Sequence, residues 1–225
     1  MTSIRLPIRL PIRLMAIALM GLGLSACGAT NQDIASRNAP LIEAPATAAT
    51  PAAPAALAEV TVNRIIVDVP RSLKVSEANR YFPGGDIVWR EDPRGDRYAQ
   101  VQAIVENAMR EGVKDMQGPN AVDLYIEVTR FHALTEKARY STGGVHDIEF
   151  KLTLLDPETG TPLGASRQID AGFKAYGGSA ALAAEARGET QKVRITQQLA
   201  RVIQDELTTQ GGYQAASLGV MEMFN

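Results

Sequence analysis

The segment Ala121-Val-Asp-Leu-Tyr-Ile-Glu-Val-Thr-Arg-Phe131 decides the fold. Val122, Leu124, Ile126 and Val128 fall on one side of an extended chain, with Asp123, Tyr125, Glu127 and Thr129 on the other. That is the period-two pattern of a strand with one buried face. A second run follows, with His146, Ile148, Phe150, Leu152 and Leu154 set against Asp147, Glu149, Lys151 and Thr153. Asp156-Pro157-Glu158-Thr159-Gly160 has hairpin-turn chemistry and returns the chain into Ala165, Ile169, Ala171 and Phe173.

Upstream, residues 60–69 form another strand whose phase slips. Val60 and Val62 share one face, while Ile65, Val67 and Val69 share the other. The slip at Asn63-Arg64 marks a bulge or a strand buried on both sides. Pro83-Gly84-Gly85 is a turn, and Ile87-Val88-Trp89 reads as a short or edge strand. Asp96 caps a helix in which Val101, Ile104, Val105, Ala108 and Met109 recur at helical spacing, and Gly112 is expected to stop it. A last helix follows Gly177-Gly178, beginning within residues 179–187. It is amphipathic through Ile195, Leu199, Val202, Ile203 and Leu207, and Gly211-Gly212 ends it.

The order is strand, helix, strand, strand, strand, helix. A crossover helix makes the first two main strands parallel neighbours, and hairpins make the others antiparallel. The expected fold is α+β, a single mixed or antiparallel sheet of four to five strands with two helices packed on one face. The other face, carrying Tyr125, Thr129, Lys151 and Thr153, is left open as a docking surface.

The N-terminal part follows different rules. Arg5, Arg9 and Arg13 supply positive charge with no acid among residues 1–26, and residues 15–24 are an apolar run. As a helix that run reaches about 15 Å, half of a hydrocarbon core, so it has the length of a signal-peptide core rather than a membrane span. Leu24-Ser25-Ala26-Cys27 resembles the lipobox of bacterial lipoproteins at all four positions. The resemblance implies cleavage before Cys27 and acylation of that residue. Two or three acyl chains attach a protein stably where one holds only marginally. Gly28, where an aspartate would retain the protein at the inner membrane, implies the outer membrane and a periplasmic address. From residue 39 to 58 ten residues are alanine and four are proline, a composition expected of a disordered spacer. The chain thus divides into a signal peptide (1–26), a lipidated cysteine and Ala/Pro-rich tether (27–58), a globular domain (59–212) and an apolar C-terminal tail (213–225). The tail is expected to dock on the domain.

The whole chain has 225 residues and a formal charge of −2, with 45% hydrophobic and 21% charged residues. Nothing is basic enough to neutralise a phosphate backbone, so nucleic acid is not an expected partner. The single cysteine excludes an internal disulfide. The strand-helix-three-strand-helix order resembles that of small lipoproteins that assist lipopolysaccharide assembly and of auxiliary lipoproteins of lipid-transporting ABC systems. It is a likeness of topology, so it transfers no functional residue. The stretch from Asp86 to Val101 resembles an uncharacterised family of bacterial lipoproteins.

Chemistry is sparse. His132 and His146 are the only histidines and fall in different strands without metal-binding spacing, so no metal and no cofactor are expected. Six of the eight residues from Arg90 to Arg97 are charged, beside the only tryptophan. Trp89, Arg90, Arg94 and Arg97 are therefore the candidate binding residues, with internal packing of the indole as the competing reading. The function expected is that of a non-catalytic envelope accessory, held to the membrane through Cys27 and binding an envelope protein. The alternatives are a small-molecule or lipid carrier, and a hydrolase using Asp86, Glu91, Asp92, Asp96 and His132.

Overall fold

The computed structural model describes residues 60–216. The signal peptide, Cys27, the tether and the tail beyond residue 216 lie outside the described residues.

The alternating segment forms β3 (Asn120–His132), the spine of the sheet. β1 (Val60–Asp68) pairs with it in parallel, and β4 (Gly144–Leu155) lies antiparallel on its other side. The outer positions are each shared by two strands. β2 (Ile87–Val88) takes over from β1 along the last residues of β3. β5 (Arg167–Asp170) and β6 (Phe173–Ala175) divide the far edge of β4. Among the described residues the sheet thus has six strands: the short strand expected at Ile87-Val88 is present as β2, and the expected return strand is split into β5 and the three-residue β6. The parallel β1–β3 pair follows from the crossover through α1 (Arg97–Val113).

Both phase slips in the sheet are bulges. The first, between Val62 and Arg64, is the one legible in the sequence. The second, between Val128 and Arg130, was not anticipated. An extra residue at Thr129 turns Phe131 inward, fully buried, and puts Arg130 and His132 on the open face opposite Glu149 and Asp147. Asp123, expected to face outward, is also fully buried. The first bulge brings Asn63 and Arg64 over it, with Nδ2 and Nη2 at 2.9 and 2.6 Å from its carboxylate oxygens.

One face of the sheet is covered by α1 and α4 (Gln191–Thr208), whose apolar stripes interlock with Leu124, Ile126, Ile148, Phe150 and Leu152 in a single core. Asp96 caps α1 by accepting from the amides of Tyr98 and Ala99 at 3.0 and 3.2 Å. Gly112 does not stop that helix. It lies inside the last turn, where a Cβ would come 2.3 Å from the carbonyl of Ala200 and 2.5 Å from Ile203. Its lack of a side chain lets α1 and α4 cross closely. The last helical segment is two helices, α3 (Gly178–Ala186) and α4, divided at Gly188 (φ 81°) and restarted by the Thr190 cap. A four-residue α2 (Glu136–Arg139) is the fourth helix among the described residues. Among the described residues no helix is long and apolar enough to cross a membrane.

β3 gives the domain two poles. Val60 pairs with Asn120 at its start, and Val88 pairs with His132 at its end. Thirteen residues of strand separate them by about 40 Å.

Candidate functional site

The residues singled out in the sequence build an internal tie rather than a surface. β2 directs Trp89 into the core, fully buried, with its ring edge-on to Phe131 at 5.9 Å. Its Nε1 donates to Asp92 at 2.9 Å, and the same carboxylate accepts from Lys192 at the start of α4. Arg97 is 4% exposed and donates to Glu77 (2.6 Å), to Gln100 (2.7 Å) and to the carbonyls of Asp92 and Pro93. Its hydrogen bond, with help from Arg90 and Arg94, holds the Glu77 carboxyl below its ordinary pKa. Arg90 bridges Glu136 at 2.5 Å and Glu77. Arg94 alone of the four is exposed. Binding through Trp89 and Arg97 is therefore corrected: a buried indole and an enclosed guanidinium offer nothing to a ligand.

The carboxylates considered for acid–base chemistry are likewise occupied. Asp86 accepts from the Lys74 amide, Glu91 pairs with Arg139, and Asp96 holds the α1 N-terminus and Arg71. Among the described residues no group of three or more His, Cys, Asp or Glu is placed to hold a metal ion.

A concave site lies elsewhere, on the open face at the pole opposite Val60. It is a groove of about 590 Å³ between the loop Tyr81–Pro83 and the turn Thr142–Gly144. Phe82, Pro83, Ala133, Leu134 and Val145 make it mostly apolar, and Arg130, His132 and Asp147 form its polar floor. Phe82 stands 86% exposed at the rim. The loop beneath it is held: the Thr135 hydroxyl donates to the Arg80 carbonyl at 2.8 Å, and the Lys137 amide donates to Asn79 at 2.8 Å. Lys137 also lies over the Tyr81 ring at 4.7 Å.

The floor is electrically balanced. Arg130 Nε donates to Asp147, and its Nη2 lies 3.3 Å from Nδ1 of His132. A guanidinium only donates, so Nδ1 accepts; Nε2 then carries the proton and donates to the Gly85 carbonyl at 2.8 Å. Burial lowers the His132 pKa, and neighbouring Arg130 adds to this, so the ring is neutral between two fixed partners. Gly85 makes that carbonyl available because its φ of 108° suits the turn, with Lys74 O only 2.8 Å from where a Cβ would be.

Sequence reasoning named His132 but missed the groove. Its walls come from segments about sixty residues apart that carry no local pattern. The one available signal was the second slip, an arginine at an inward phase followed by a phenylalanine at an outward one.

His146 faces the other way from β4. It is fully buried against Phe173, with ring centroids 4.9 Å apart, and among the described residues neither nitrogen has a hydrogen-bond partner. It is thus not the hydrogen-bonded boundary residue its phase suggested. Burial, reinforced by Arg194 and Arg139, lowers its pKa to about 3. A second concavity of about 710 Å³, near Val60, is walled chiefly by charged and amide side chains of α4 and of the end of α1 with the residues after it, among them Glu111, Lys114, Gln197 and Arg201.

This architecture defines an α+β domain with a mixed sheet open on one face. The chain belongs to a family of unknown function (DUF6778), whose model matches residues 60–223. No curated protein matches it. Among solved structures, it is similar to a candidate lipoprotein from Caulobacter crescentus CB15, at 20% identity, over 48% of this chain and 80% of the other, with a TM-score of 0.31. It is also similar to a Xanthomonas campestris protein of family DUF330, at 16% identity, over 69% of this chain and 88% of the other, with a TM-score of 0.41.

Proposed function

We propose that the protein is a lipid-anchored periplasmic accessory module, tethered through Cys27 at the outer membrane, which binds an envelope partner through the groove between Phe82 and Val145. The observation that carries this reading is the groove itself. A preformed, largely apolar concavity with a few convergent polar groups is what binding sites require. The lipobox-like Leu24–Cys27 supports the anchor. A carrier that stores its cargo between helices and sheet fits less well, because that space is filled by Ile104, Met109, Leu124, Phe150 and Ile203.

The test pairs two kinds of variant in the native host. Cys27→Ser should release the protein from the envelope fraction and remove acyl mass from its N-terminus. Phe82→Ala should keep the protein folded and anchored, yet reproduce the permeability defect of a deletion strain. A deletion strain with normal permeability and no crosslinked partner would sink the accessory role.

A further inference from the structure

We infer that the groove receives an uncharged, apolar segment of a partner polypeptide: large side chains sit between Phe82 and Val145, and a backbone amide meets the Arg130–Asp147 pair. The inference deepens the binding role proposed above and rests on it.

The charge balance of the floor selects this ligand. Arg130 and Asp147 neutralise one another, and both nitrogens of His132 are committed, to Arg130 and to Gly85. An entering carboxylate or phosphate meets the Asp147 carboxylate, and an entering ammonium meets Arg130. Either meets a like charge in a pair that is already neutralised, so a charged ligand gains no net attraction from the floor. An amide carries one donor and one acceptor and suits the pair as it stands. The rim adds an anchor. Aromatic side chains, phenylalanine among them, are enriched at protein interfaces. Phe82 is exposed on a loop already fixed by Thr135, Asn79 and His132, so little ordering remains to be done on binding.

The experiment uses full-length protein carrying Cys27→Ser, so that no acyl chain competes for the groove. Calorimetric titration compares three capped peptides, Ac-Leu-Ser-Phe-NH2 and its counterparts with aspartate or lysine at the centre. The neutral peptide should bind, and each charged one should bind about tenfold more weakly. Phe82→Ala, which removes only an exposed ring, and Val145→Trp, which fills the groove, should each weaken the neutral peptide about tenfold. Asp147→Asn should recover the aspartate peptide. Three results overturn the ligand class while leaving the groove as a site: tighter binding of the aspartate peptide, binding to phosphatidylcholine vesicles but to no peptide, or self-association abolished by Phe82→Ala. If every peptide and the neutral probe N-phenyl-1-naphthylamine ignore both groove variants, the ligand class and the site fall together.

Discussion

Nη2 of Arg64 lies 2.6 Å from Oδ2 of Asp123, joining the bulge of the first strand to a carboxylate with no exposed surface in the central one. The Asn63 amide at 2.9 Å completes the grip. These hydrogen bonds, that of Asn63 foremost, hold the Asp123 carboxyl below its ordinary pKa.

The sign of the resulting pH dependence follows. A carboxyl with a depressed folded pKa contributes stability above its unfolded value, near 3.9, and loses it as pH falls through the folded value. Asp123→Asn should therefore lower the urea midpoint at pH 7 and reduce the loss of stability below about pH 4. Equal midpoints for both proteins at pH 7 would remove the role assigned to this pair.

A higher window with the same sign belongs to His146. Its pKa falls to about 3 from 6.5, so the unfolded chain binds a proton that the folded chain refuses between those values. Stability is full above pH 6.5 and declines as pH drops toward 3, by on the order of a few kcal/mol. His146→Leu should flatten that slope in urea midpoints taken at pH 7, 5 and 4. An unchanged slope would assign the acid sensitivity to other groups.

At Gly112 two effects compete. Alanine gains roughly 1 kcal/mol of helix propensity. Its Cβ would meet a backbone oxygen at 2.3 Å, which only a shift of α4 relieves. Overpacking of this kind costs about 1–3 kcal/mol, so Gly112→Ala should be net destabilising, read as a lower thermal midpoint.

Trp89 and Arg94 separate a packing role from a surface one. Trp89→Ala removes a fully buried ring and should cost about 3–5 kcal/mol in denaturant unfolding. Arg94→Ala, at an exposed site, should change stability by no more than about 0.5 kcal/mol.

The core of the fold was legible because each central strand buries one face. Alternation along Val122 to Val128 and His146 to Leu154 fixed both strands, and the slip at Asn63-Arg64 announced the first bulge. Asp96 announced its helix because a cap is a local device. Gly112 was misread for the complementary reason: what it accommodates, the Ala200 carbonyl, is nearly ninety residues away. Asp123 keeps its outward phase and is buried because the bulge of β1 brings Asn63 and Arg64 over it, which its own strand does not announce. The bulge at Thr129 likewise turns Arg130 to the open face without changing composition. The groove was invisible, since Phe82, Arg130 and Val145 meet only after the chain has folded.

The separation of Val60 from the groove along β3 has a mechanical consequence. Tension between a chain pulling at Val60 and an occupant held near Phe82 runs parallel to the strands. It loads the β1–β3 hydrogen bonds in shear, where they resist together, instead of peeling them one at a time. The same domain pulled across its sheet, from Val60 to Arg167, would yield at lower force.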